Sequence, residues 1–183
     1  MDSQEISVFP PDCSEALEAT RALFLEYARS LQFDLCFQDF EEELRQLPGE
    51  YSGPRGALLV TSVNGVWAGC CAMRPLDSSD YSNACEIKWL YVRPQFRGLG
   101  LGRRLAEAIL DAARLAAYDC ILLDTLDDME SARALYEELG FESIPPYYYN
   151  PIAGAHYLKA DLYNGKKTSR FGPGISNSSN AEA

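Results

Sequence analysis

The stretch that most constrains this chain runs from Cys85 to Asp124. An apolar run, Cys85 to Val92, reads as a strand and is closed by Pro94. Gly98, Gly100 and Gly102 follow, and a long helix is expected over Gly98 to Ala117 with Leu101, Leu105, Ile109 and Leu110 inward. Cys120 to Asp124 is then a buried strand. A chain that passes from strand through a glycine turn into a long helix, and out into another strand, is neither a bundle nor a sandwich. It is an α/β domain with one mixed sheet.

The rest of the chain agrees. Glu5 to Phe9 is a short strand stopped by Pro10-Pro11. Asp12 or Ser14 can cap a helix to about Leu31, with Leu17, Leu23, Phe24 and Tyr27 on its apolar face. A second helix is expected over Phe37 to Leu47, ended by Pro48-Gly49. Ala57 to Val63 and Val66 to Met73 are strands joined by Asn64-Gly65, a strong two-residue hairpin signal. A helix from Met129 to Leu139 ends at Gly140. Strands are expected at Phe141 to Ile144 and Ala155 to Leu162, with a loop rich in Pro and Tyr between them.

The 183 residues suit one domain over 1–163, followed by a tail over 164–183 too poor in apolar residues to pack and expected to be disordered. The net charge of −11 argues against binding nucleic acid or an anionic membrane. Met1 to Glu5 has no basic segment and no apolar run follows it, and no run approaches the length of a membrane helix, so a cytoplasmic protein is expected. The six cysteines form no C-x-x-C pair and His156 is the only histidine, so buried reduced thiols and no metal are expected.

The glycine turn has a chemistry of its own. Helix N-termini present unpaired amides and partial positive charge, and glycines let the backbone close on a pyrophosphate. From Glu86 to Arg104 there are five cations and one anion, +4 in a chain of −11. A Walker loop needs Lys and Ser or Thr after the glycines, and here Arg103-Arg104 follow. A Rossmann fingerprint needs G-x-G-x-x-G, and the spacing here is G-x-G-x-G.

Arg97-Gly98-Leu99-Gly100-Leu101-Gly102 resembles the Q/R-x-x-G-x-G/A signature of the GNAT N-acetyltransferase superfamily. Leu90 to Pro94 resembles that family's fourth strand, and Leu135-Tyr136-Glu137-Glu138-Leu139-Gly140-Phe141 its LYxxLGF helix ending. Gly140 to Gly154, with Ile144-Pro145-Pro146-Tyr147-Tyr148, resembles a microbial and fungal subgroup. The resemblance implies a mixed, mostly antiparallel central sheet flanked by helices. It implies acetyl-CoA as cosubstrate, held by Leu90, Tyr91, Val92, Arg97, Gly98, Leu99, Gly100, Leu101, Gly102 and Arg103. It also implies direct attack of an amine in a ternary complex. Many members carry Asn seven residues before the helix tyrosine, where this chain has Met129.

By that resemblance Glu86, six residues before Val92, is the candidate base. The other reading of Glu86 is an ion pair with Lys88 or a neighbouring arginine. By period two, Cys85, Ile87 and Trp89 share one face and Glu86 and Lys88 the other. Tyr136 is the candidate acid at the leaving sulfur, or else a core aromatic. The amides of Leu90 and Val92 are implied to orient the acetyl carbonyl.

The acceptor is expected to be the primary amine of a small molecule or amino acid, positively charged or zwitterionic. Phe33, Asp34 and Phe37 would form one wall of its pocket, and Tyr147 and Tyr148 the other. The tyrosines can equally pack under the sheet. Glu41 to Glu43 read as a solvated helix face and His156 as structural. The rival functions are a catalytically silent acyl-CoA-binding module and a protein or peptide N-acetyltransferase. A monomer or homodimer is expected.

Overall fold

The computed structural model describes residues 4–31, 37–127 and 129–163, with the side chains of Phe37 and Gln38 excepted. The segment read as a tail, 164–183, lies outside the described residues, as do Phe33 and Asp34 and the side chain of Phe37.

Seven strands form one sheet. They are β1 (Ile6–Phe9), β2 (Ala57–Val63), β3 (Val66–Pro75), β4 (Ala84–Val92), β5 (Cys120–Leu126), β6 (Glu142–Ile144) and β7 (Ala155–Asp161), in the spatial order β1-β2-β3-β4-β5-β7-β6. Every neighbouring pair is antiparallel except β4 and β5. Helix α3 (Leu101–Leu115) is the crossover that parallel pairing requires. Helices α1 (Ser14–Ser30) and α2 (Phe37–Gln46) join β1 to β2, and α4 (Glu130–Glu138) follows β5.

Each face of the sheet has its own core. On one face Leu105, Ile109 and Ala113 of α3 and Tyr136 of α4 pack on Cys71, Cys85, Ile87, Ile121 and Leu123. On the other, Leu23 and Phe24 of α1 and Phe40 and Leu44 of α2 pack on Leu58, Val60, Cys70 and Ala72. Cys70, Cys71, Cys85 and Cys120 are buried free thiols, and desolvation raises the pKa of each. The hairpin after β2 forms as the sequence predicts, with positive φ at both Asn64 (49°) and Gly65 (77°).

Three expectations are corrected. The residue preceding α1 is Cys13, and no side chain caps the helix, so neither Asp12 nor Ser14 does so. Helix α3 begins at Leu101 instead of Gly98 because Gly98 and Gly100 take φ of 83° and 74°, a left-handed backbone that no right-handed helix contains. The third is the face of Trp89. Period two places it with Cys85 and Ile87, yet it packs against Phe24, Phe40 and Tyr51 on the opposite side.

A bulge causes that reversal. Cys70 pairs with Tyr91 and Ala72 with Lys88, so Trp89 and Leu90 together oppose Cys71. Trp89 has φ of 57°, a strained value for a bulky residue that costs about 1–3 kcal/mol. Its ring stacks on Phe24 at 4.8 Å, worth about 0.5–1.5 kcal/mol beyond burial. Its indole Nε1 donates to Glu43 Oε1 at 2.7 Å, and a hydrogen bond to a charged group contributes about 1.5–3 kcal/mol. The two contacts together offset the strain, so the bulge is held from the α1 and α2 side. One member of the acidic run therefore has a structural partner and is not merely part of a solvated face.

Candidate active site

The bulge opens the sheet. β4 and β5 pair at only three positions, Ala84 with Cys120, Cys85 with Ile121 and Glu86 with Leu122. Beyond them the strands diverge, and a cavity of about 420 Å³ lies between them. Ile87, Lys88, Trp89 and Leu90 line it from β4, and Leu123, Asp124, Thr125 and Leu126 from β5. Tyr136 and Ala132 close it on the α4 side, with Met129 at the start of that helix. Tyr27, Leu31, Tyr148, Asn150, Pro151 and Ile152 close it on the other.

At the far end of β4 stands the glycine turn. The Arg93 amide donates to Ala68 of β3, so strand alternation aims the Val92 amide at the open side. A short 3₁₀ turn, Pro94–Phe96, leads to Gly98. Helix α3 has no side-chain cap and no acidic residue in its first turn. Its first amides therefore lack both an intrahelical and a side-chain partner. A Cβ placed on Gly98 or Gly100 would meet nothing within 4 Å, so the turn borders open space. Free amides, positive dipole and open space fit a diphosphate.

The cations here are less available than the sequence suggests. Arg93 is bound to both oxygens of Glu26, at 2.9 and 2.7 Å, and to the carbonyl of Trp67 at 2.7 Å. Arg103 pairs with Glu138 and lies 3.7 Å from Glu107. Arg97 is exposed and uses Nε on the carbonyl of Val92, 3.2 Å away, which leaves its terminal nitrogens for a phosphate. Of these three arginines, only Arg97 has no carboxylate partner among the described residues.

Tyr136 is 5% exposed and meets the Phe141 ring edge-on at 5.4 Å. Burial pushes its phenol well above its ordinary value, and nearby Cys71, Tyr27 and Asp124 add to the shift. Met129, in the place of the usual Asn, sets its sulfur 3.8 Å from the Tyr27 hydroxyl and 3.7 Å from Thr125 Oγ1. A thioether is a weak acceptor, so this wall is softer and less polar than an amide would make it.

Glu86 is 2% exposed and does not line the cavity. Arg74 Nε donates to its Oε2 at 3.1 Å and the Tyr147 hydroxyl to its Oε1 at 2.9 Å. The ion-pair partner is thus Arg74, which also reaches Glu50 at 3.1 Å, and not Lys88. Removing one partner of a buried pair strands the other charge. Arg74→Ala is expected to lower stability by about 3 kcal/mol, the low end of that class because Arg74 is partly exposed. The double variant Arg74→Met, Glu86→Leu is expected to recover most of the loss. Urea midpoints at unchanged m-value check both.

The tyrosine loop divides. Tyr148 lines the cavity and donates to Asp124 Oδ2 at 2.6 Å. Tyr147 packs edge-on against Tyr157 at 5.5 Å and faces Glu86, outside the lining. Its hydroxyl is strongly raised in pKa by burial and by Glu86, so it stays a donor. Tyr149 is exposed. His156 pairs with Asp127, away from the cavity. Sequence reasoning missed Asp124. Its signal is a single carboxylate in the apolar run Cys120 to Leu126, matching Glu86 in β4.

The family model for GNAT acetyltransferases matches residues 17–141. The chain belongs to the GNAT family. An uncharacterised N-acetyltransferase of Schizosaccharomyces pombe is 34% identical over 163 residues, spanning 88% of this chain and 98% of that protein. A GNAT acetyltransferase of Staphylococcus aureus has the same fold, with a TM-score of 0.70 at 19% identity over 87% of this chain and 100% of that one. The Salmonella typhimurium protein yncA, described as a putative acetyltransferase with its cofactor acetyl-CoA, aligns with a TM-score of 0.63 at 20% identity, covering 87% and 95% of the two chains. This GNAT protein is an acyltransferase of the acetyl-CoA-dependent kind. Among its described residues no group of three or more His, Cys, Asp or Glu could hold a metal, and no helix is long and apolar enough to cross a membrane.

Proposed function

We propose that this GNAT enzyme transfers acetyl from acetyl-CoA to the primary amine of a small molecule, by direct attack with both substrates bound. The observation that carries the reading is the cavity between β4 and β5. It has Tyr136 on one side and a polar wall of Asp124, Tyr148 and Asn150 on the other, and β4, which lines it as far as Leu90, runs on to the glycine turn. A thioester is already activated, so positioning and proton handling supply most of the rate.

In this reading the amides of Gly98 to Arg103, with Arg97, hold the diphosphate. The Val92 amide, with that of Leu90, orients and polarises the acetyl carbonyl. The amine nitrogen forms its bond to the carbonyl carbon as the carbon–sulfur bond breaks. Tyr136 gives its proton to the departing sulfur. The proton shed by the amine goes to a carboxylate and returns through solvent to the Tyr136 phenolate, so the sum is an amide and a free thiol. Glu86 is the acceptor that its strand position implies. Its Oε1 takes the Tyr147 hydroxyl and neither residue lines the cavity, so transfer to it needs a water relay, and Asp124 is the carboxylate within the lining.

The test is an acetyl-CoA-dependent product screen, by mass spectrometry, over amines, amino acids and peptides. A mass gain of one acetyl group on a small amine is expected. Gain only on peptides or proteins would replace this reading with the peptide one. Binding of acetyl-CoA with no product from any class would leave a binding module.

A further inference from the structure

Two charged side chains in the cavity lack a charged partner among the described residues. Glu86 and Leu122 are register partners in β4 and β5, and two residues further on in each strand stand Lys88 and Asp124. By strand alternation both lie on the sheet face that carries α1, α2 and the 145–152 loop. Lys88 opposes Ala72, which packs with that face, and Asp124 is bound by Tyr148 and Asn150 of the loop. Both line the cavity. They do not pair with each other, because the strands have already diverged, and among the described residues neither has an ion pair within 4.0 Å.

The environment of each charge is specific. Asp124 takes two neutral donors on Oδ2, the Tyr148 hydroxyl at 2.6 Å and Asn150 Nδ2 at 3.1 Å. They fix the carboxylate and leave Oδ1 without a donor among the described residues. Asn150 is itself held, because its Oδ1 accepts the Ile152 amide at 2.9 Å. Lys88 is half-buried beside Trp89. The neighbouring lining is apolar or aromatic, with Leu31, Trp89, Leu123, Pro151 and Ile152. One fixed anion, one cation and an apolar surround are complementary to a small molecule carrying both charges and an apolar body. A plain amine would leave Lys88 unanswered, and a peptide N-terminus would bring no carboxylate to it.

We propose that the acceptor is a free α-amino acid with an apolar side chain, its amino group held at Asp124 and its carboxylate at Lys88. The inference rests on the acetyl-transfer reading and narrows it. Each charge-assisted contact in a partly desolvated site is worth about tenfold or more in affinity. Leucine and phenylalanine should therefore be acetylated at least about tenfold more efficiently, in kcat/KM, than isopentylamine and phenethylamine, which lack only the carboxylate.

The experiment compares these four acceptors with the full chain and acetyl-CoA, following thiol release and confirming products by mass. Lys88→Met should collapse the preference for the acid over its decarboxylated amine to near unity. Asp124→Asn should raise KM for the amino acids. In parallel, calorimetry measures leucine binding to the protein loaded with CoA. Equal or better use of the decarboxylated amines by wild type overturns the inference and leaves acetyl transfer intact. So does a preference that survives Lys88→Met. Leucine binding that Lys88→Met and Asp124→Asn both weaken, with no acetylated product, overturns acetyl transfer and leaves the amino-acid site standing. Neither binding nor acetylation of any amino acid overturns the inference outright.

Discussion

Tyr136→Phe slows turnover by about 10²–10⁴-fold and leaves acetyl-CoA binding in place, the range over which a positioned acid or base acts. The substitution removes one oxygen from a ring whose packing on Phe141 does not need it. The fold should therefore survive, and a fall in kcat then reports lost proton transfer and not lost structure. The shift in the phenol pKa sets its protonation state. Burial raises it well above the ordinary phenol value of about 10, so Tyr136 keeps its proton through neutral and mildly alkaline pH. No alkaline loss of activity assigned to this group is expected below that value. A departing thiolate needs a donor that is still protonated, and Tyr136 meets that need across the whole range. Single-turnover kinetics on wild type and Tyr136→Phe, from pH 7 upward, check both parts. An unchanged kcat at every pH would make Tyr136 a packing residue only.

Much of this architecture is legible in local sequence because it depends on local rules. Asn64-Gly65 supplies two left-handed residues in a row and so announces its hairpin. The run from Cys85 through the glycines to Leu110 announces strand, turn and helix from apolar period and glycine placement alone. Even the error in the start of α3 has a local cause, the positive φ of Gly98 and Gly100.

The candidate site is less legible because it is made where the strands stop obeying local rules. Nothing in Cys85 to Val92 marks Trp89 as the residue that leaves the alternation. Phe24, Phe40, Tyr51 and Glu43 hold it from distant parts of the chain. Without that bulge β4 and β5 have no reason to part, so a linear reading cannot gather Lys88 and Asp124 round one cavity. Arg93 fails in the same way. It counts toward a basic cradle in sequence, but Glu26 of α1 claims it in space. Glu86 was readable as either a base or an ion-pair member. The partner, Arg74, sits directly across the β3–β4 pairing, a register that only the folded sheet reveals.

Gly100→Glu abolishes acetyl-CoA binding, whereas Gly100→Ala does not. The two variants share one cost. Gly100 has φ of 74°, and any side chain there takes a left-handed backbone at about 1–2 kcal/mol. Both should therefore melt below wild type. They differ in charge. A Cβ at this position meets no atom within 4 Å, so alanine leaves the space above the helix N-terminus nearly as it was. A glutamate carries its carboxylate to the amides of Leu101, Gly102 and Arg103, which have no side-chain cap. An anion is favoured there, so the glutamate itself occupies the place of the diphosphate and repels it. The readout is the rise in melting temperature on adding acetyl-CoA, since a ligand selective for the folded state stabilises it by mass action. At 100 times its Kd the ligand should raise stability by about 2.7 kcal/mol in wild type, and the shift should persist in Gly100→Ala. It should vanish in Gly100→Glu. A shift of full size in Gly100→Glu would move the diphosphate away from this turn and would remove the glycine cradle from the account of how the enzyme holds its cosubstrate.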